Sequence, residues 1–234
     1  MSKRKPFRKK FIFRTIVFLT FLFFYVYDLE LLTSITSYSL GFFKVYHVIW
    51  LFLMLEMSQV LLPVLNNHIS TGKIFARHYK KTKAPYDKKA LQNYINKYNI
   101  RAVWAALFWL ALLLFIGIFL YTGKLEVWSI HLIVVFFYFA DEFCINIWCP
   151  FGAWIVRSKC CNACRIYNWN FFLIYSPYIF ICSFWTYSLL LMSLIILLQW
   201  EYLHYKNPQR ISEISNANLQ CSECPDEGLT TCKY

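Results

Sequence analysis

The chain has 234 residues, 59% of them hydrophobic and 21% aromatic, which is more apolar side chain than one soluble core would bury. Its net charge of +12 lies beside apolar runs, where membrane topology accounts for it better than a nucleic-acid partner does, so no nucleic-acid binding is expected. Nine cysteines without regular spacing argue against a small secreted disulfide scaffold.

In chain order, Lys3, Arg4, Lys5, Arg8, Lys9 and Lys10 come first without an acid, and Arg14 extends the block. The positive-inside bias places this end in the cytoplasm of a multi-pass cell-membrane protein. An apolar run over 11–32 is the first expected span. It is too long for a signal-peptide core and lacks a small-residue cleavage site, so it reads as a retained helix. Residues 33–41 carry no Lys or Arg and read as an external turn, after which 42–65 returns as the second span.

Residues 66–101 set Lys73, Arg77, Lys80, Lys81 and further basic residues against the single acid Asp87, the pattern of a cytoplasmic loop. Tyr94, Ile95 and Tyr98 suggest a short surface helix within it. Spans three and four follow at 102–121 and 128–148, and the fourth delivers a cysteine-rich loop, 144–170, to the inner face. The apolar stretch 171–203 reads as one long tilted span, with an interfacial start ahead of Pro177 as a variant, which leaves the tail, 206–234, outside. A re-entrant hairpin there would instead return the tail to the cysteine side. The expected fold is an all-α polytopic membrane helix bundle over 1–205, with about five transmembrane helices, a cysteine-rich loop and a cysteine-containing tail.

The chemistry concentrates in Asp141 to Cys164, which holds Cys144, Cys149, Cys160, Cys161 and Cys164. Pro150 and Gly152 stop the preceding helix, so the following loop can fold back over its end. Thiolates are soft ligands, and Arg157, Lys159 and Arg165 would offset their charge. The tail adds Cys221, Cys224 and Cys232 as further metal ligands or a separate dithiol, while Cys182 alone in the last span reads as a small buried hydrophobe. Three chemistries fit these residues: an iron–sulfur cluster, structural zinc in a non-catalytic scaffold, or a thiol–disulfide carrier using Cys144 and Cys149. Whether the chain is an enzyme stays open.

Glu56, Asp141 and Glu142 fall at similar depth inside the expected spans, where an ionisable side chain is costly unless paired, hydrated or protonated. They are candidates for a proton-linked role, or for structural pairing with Arg14, Arg101 or a buried amide. His47 and His131 near the outer ends read as interfacial histidines with water partners. No Gly-rich phosphate loop, Ser-His-Asp set or His-Glu-x-x-His helix is present, which argues against nucleotide hydrolysis and proteolysis.

The segment F-C-I-N-I-W-C-P-F-G-A-W resembles the membrane-embedded ferredoxin-like proteins of bacterial respiratory chains, in which a transmembrane helix ends in Cys-x-x-x-Cys-Pro. Four residues separate Cys144 from Cys149 here, against three in that pattern. Over most of its length the chain resembles uncharacterised cysteine-rich multi-pass membrane proteins of low-GC Gram-positive bacteria. The shared features are the basic loop from Gly72-Lys73 to Tyr79-Lys80, K-C-C-N-x-C-R-I-Y-N-W at Lys159 to Trp169, and Ser215-Asn216-Ala217-Asn218 leading into Cys221-x-x-Cys224. The first resemblance implies electron transfer between an iron–sulfur cluster and a quinone or membrane redox protein. The second implies only that the cysteines act as a set.

Overall fold

The structure, a computed structural model, describes residues 5–65, 69–83 and 85–220. Its helices in chain order are α1 (Lys5–Tyr27), α2 (Leu29–Ser37), α3 (Val45–Leu61), α4 (Ile69–Gly72), α5 (Lys88–Tyr121), α6 (Val127–Asn146), α7 (Asn170–Tyr175) and α8 (Phe184–Lys206). A short antiparallel ladder, β1 (Ser39–Leu40) with β2 (Phe43–Lys44), joins α2 to α3. Among the described residues, α1, α5, α6 and α8 are long and apolar enough to cross a membrane. Ile16 and Phe23 of α1, Trp104 and Phe115 of α5, and Leu191 and Leu198 of α8 are more than half exposed. Lipid accepts such a surface and water does not.

The boundaries differ from the sequence expectation in four places. The first span ends at Tyr27, because the Asp28 carboxylate accepts the Leu31 N–H at 2.8 Å and starts a separate helix, α2. The second keeps only 17 residues, because the β ladder takes its beginning and Pro63 stops it. The third gains Lys88–Arg101 from the expected loop, with Leu91 and Ile95 buried on its inner side. The fourth difference concerns 171–203, which is not one tilted helix: α7 passes into a tight helical stretch, Ser176–Phe180, and the chain turns at 181–183 before α8 begins. Pro177 lacks the N–H and disfavours helical geometry just before it, and Ser183 then caps α8 by accepting the Trp185 N–H at 3.3 Å.

That break sets the topology. Asn170 lies level with Asp141 near one end of α6, at 3.3 Å, whereas the Tyr178 hydroxyl lies 3.3 Å from His131 near the other end. The short segment therefore climbs beside α5, where Trp109 donates to the Ser176 hydroxyl at 2.9 Å and Phe180 packs on Gly117. α8 then descends parallel to α3, from Trp50–Ser188 (2.8 Å) to Gln199–Leu61 (3.2 Å). α1 lies antiparallel to α6 through Phe18 stacked on Phe139 and Tyr25 bonded to Ser129. The main core, around Met57, Ile130, Val134, Tyr175 and Ile196, fills the space between α3, α6, α7 and α8.

Residues 207–220 consequently return to the face that carries the cysteine loop, not to the opposite one. Ala217 N–H donates to the Lys80 carbonyl at 2.7 Å, Asn218 reaches the His78 carbonyl at 2.9 Å, and Glu213 pairs with Lys159 at 2.9 Å. The Asn216 side chain accepts the Lys80 N–H and donates to the Arg210 carbonyl at 2.6 Å. The buried Asn216 thus acts as a backbone-like link between tail and loop. Cys221, Cys224 and Cys232, the expected tail ligands, lie outside the described residues.

Candidate functional site

α6 ends at Asn146, and Pro150 opens a wide helical turn over Phe151–Ile155. In this turn the Gly152 N–H points at the Cys149 sulfur, 3.2 Å away. Arg157 then adopts a left-handed backbone (φ 51°), which lets the Ser158 N–H close on the Gly152 carbonyl at 3.1 Å and reverses the chain. The extended Cys160 and the tight turn Cys161–Ala163 therefore lie back over the end of α6. A Cβ on Gly152 would stand 3.4 Å from Cys149 Cβ, so this position is already in contact with the cysteine.

Cys144, Cys149, Cys160, Cys161 and Cys164 all line one cavity of about 310 Å³, together with Asp141 and Asn170. Its remaining wall is apolar, from Trp109 and Leu112 of α5, Phe137 of α6 and Ile174 of α7. The Cys144 and Cys149 thiols are hydrogen-bonded to each other. Among the described residues no three His, Cys, Asp or Glu side chains converge on a single metal-ion position. Cys182 lies away from this site. It is exposed at the turn before α8, with its sulfur 3.2 Å from the Tyr187 hydroxyl, and is not the buried hydrophobe expected.

The cation that reaches the cysteines is Lys73, which the sequence placed in a solvated basic loop. Its side chain is fully buried, and its ammonium donates to the carbonyls of Asn162 (2.6 Å) and Cys164 (2.7 Å) and lies 5.2 Å from the Trp200 ring centre. No carboxylate pairs with it among the described residues. Burial pulls its pKa down to about 8, against the opposing pull of Cys164, Cys160 and Cys161. Two other cations are engaged elsewhere: Arg165 is held by Glu201 through both terminal nitrogens and by Asn99 at 2.9 Å, and Arg101 of α5 donates to the Val156 carbonyl at 3.1 Å.

Two of the thiols respond in opposite ways. The bond from Cys144 holds Cys149 below the ordinary thiol range, and the N–H groups of Gly152 and Phe151 act in the same sense against burial. Burial pushes Cys164 up, partly opposed by Lys73, the Ile166 N–H and the Ser158 hydroxyl. Those same donors are placed to stabilise a thiolate once one forms.

The acids cluster as well. Arg14 on α1 bonds Glu56 of α3 at 2.8 Å and Asp141 of α6 at 2.7 Å, with Glu142 4.0 Å away, and it also donates to the Tyr138 carbonyl and stacks on the Tyr138 ring. Tyr138 donates its hydroxyl to Glu56 at 3.0 Å. Of the partners considered from sequence, Arg14 takes all three acids and Asn146 bonds Glu142 at 3.1 Å, while Arg101 takes none of them. Asp141 belongs both to this network and to the cysteine cavity. Of the two outer histidines, His47 accepts the Lys44 N–H at 3.1 Å and packs on Trp185, and His131 meets Tyr178.

No family profile, curated protein or solved structure matches this chain. Its geometry alone therefore bears on function. Sequence reasoning did not identify Lys73, Trp200 or the Arg165–Glu201 pair as parts of the site. The one available signal was Gly72-Lys73 within the shared basic motif, since a buried lysine and a solvated one look alike in a charge count.

Proposed function

We propose that this chain is a membrane redox protein whose loop cysteines hold an iron–sulfur cluster and exchange electrons with a quinone or a membrane redox partner. The observation that carries the reading is five cysteines lining one cavity beside a buried Lys73 that has no carboxylate partner among the described residues. A buried cation is costly without compensating negative charge, and thiolates around a cluster supply it.

A bound cluster would supply one-electron chemistry at the cavity. Lys73 fixes the loop through two carbonyls, Gly152 and Ser158 donate toward sulfur, and the wall from α5 and α6 is apolar. Asp141, bonded to Arg14 and Asn170, stands between the cavity and the acid network, where it can hold or pass a proton.

The Cys144–Cys149 contact supports a second reading, a metal-free dithiol that cycles with a disulfide, which uses two electrons and releases two protons on oxidation. Iron and acid-labile sulfide analysis of anaerobically purified protein, with single Ser substitutions at the five cysteines, separates the two. The cluster reading expects both elements in comparable amounts, and their loss in most of the variants. Protein free of metal with a reversible Cys144–Cys149 disulfide favours the dithiol, and stoichiometric zinc favours a structural scaffold.

A further inference from the structure

A second cavity, of about 630 Å³, separates α5 from the end of α8 on the cysteine face, and it is distinct from the space that the thiols line. Three observations mark it as a binding site. His204 is only 6% exposed, lines the cavity and makes no hydrogen bond among the described residues. Asn99, whose side-chain oxygen accepts from Arg165 Nε, has no partner for its amide nitrogen among those residues. The floor is Arg165 joined to Glu201, which also accepts the Trp169 indole N–H at 2.7 Å, so the one cation here is already neutralised. A buried imidazole without a partner is uncommon, and His204, facing one cavity with the half-buried Asn99 amide, points to a ligand that satisfies both.

The chemistry of the walls narrows the ligand class. With Arg165 bound by Glu201 the site has no surplus positive charge for a phosphate, so it suits an uncharged head that both accepts and donates hydrogen bonds. Trp169 offers a flat wall for a ring. At the rim, Val103 and Leu107 are half exposed on the lipid side of α5, an apolar exit for a tail. The volume lies within the ordinary range for pockets that take a ring-sized ligand, roughly 300–1,000 Å³.

We propose that this cavity binds the ring of a membrane-soluble quinone or quinol, with His204 and Asn99 hydrogen-bonding its oxygens. Choosing a quinone among uncharged head groups rests on the redox reading above, whereas the existence of the site does not. Position favours the assignment: Cys164 lines the thiol cavity and the next residue, Arg165, lines this one.

The test is photolabelling of the full chain in lipid nanodiscs with an azido-quinone, together with quenching of tryptophan fluorescence by a short-chain naphthoquinone. Two variants accompany it. His204→Phe removes the unpartnered ring nitrogens, and Ala106→Phe fills the cavity from α5 without touching a polar group. The proposal predicts labelling within 92–107 or 201–208 and at least tenfold weaker quenching affinity in each folded variant. Labelling confined to the apolar wall around Phe108 and Phe136, or unchanged affinity in both variants, overturns it. A tightly held phospholipid that Ala106→Phe releases, with no quinone labelling, also overturns it and assigns the cavity to a lipid. Since binding is read on protein carrying whatever metal it was isolated with, failure of the cluster reading and failure of this site are separately visible.

Discussion

The Lys73 ammonium donates to the carbonyl of Cys164 at 2.7 Å from a side chain with no exposed surface. One charged group thereby ties the loop after α3 to the cysteine turn, and Trp200 of α8 covers it. Lys73→Met removes two charge-assisted bonds and leaves two buried carbonyls, a loss of about 3 kcal/mol or more at roughly 1.5–3 kcal/mol per bond. Thermal denaturation in detergent should show a clear fall for this variant and none for the exposed Lys97→Met. Equal stability of the two would mean that Lys73 is not buried as described.

Arg14 serves three acids, so its loss should be more damaging than the loss of any one of them. Arg14→Met leaves Glu56, Asp141 and Glu142 without their shared cation, and removing one partner of a buried ion network costs about 3–5 kcal/mol. Adding Glu56→Gln and Asp141→Asn should recover much of the folded yield, measured as the monodisperse fraction after detergent extraction. If the combined variant is no better than Arg14→Met, the three helices are not joined in this way.

The climb of 170–180 beside α5 can be checked at Gly117, where a Cβ would come 2.9 Å from the Phe180 ring. Gly117→Leu should destabilise by about 1–3 kcal/mol through overpacking, and Phe180→Ala in the same chain should relieve it. Independent, additive effects of the two changes would place Phe180 elsewhere.

How much of this was legible in the sequence depended on whether a residue's role is local. Pro150 and Gly152 mark a break near the end of α6, although the helix already stops at Asn146 and Gly152 lies in the wide turn that follows. The matched depth of Glu56, Asp141 and Glu142 follows from counting along helices, so their meeting could be anticipated. Pro177 was visible, yet the length of 171–203 suited one tilted span as well as a broken pair. Only the contacts of Asn170 with Asp141 and of Tyr178 with His131 fix the short ascent. The direction of the tail depends on that same break. Lys73, Trp200 and Glu201 are long-range partners of the cysteine loop, and neither composition nor periodicity identifies a partner more than thirty residues away.

Thiol reactivity provides a check on the loop in metal-free protein. Cys149 is held low by Cys144 and the Gly152 N–H, whereas Cys164 is buried and raised. Near neutral pH, iodoacetamide should alkylate Cys149 well before Cys164, as read by peptide mass spectrometry over time. Gly152→Leu should abolish that order by displacing Cys149, while Gly152→Ala, whose Cβ makes ordinary contact, should preserve it. A faster Cys164 would contradict the geometry of the turn.

The most direct measurement is the visible absorption spectrum of anaerobically purified protein, before and after dithionite, compared with that of a variant carrying Ser at Cys149 and Cys164. Five thiols around one cavity beside Lys73 predict a broad band that bleaches on reduction and is absent from the variant. A colourless protein with stoichiometric zinc, its spectrum unchanged by dithionite, would contradict the redox assignment.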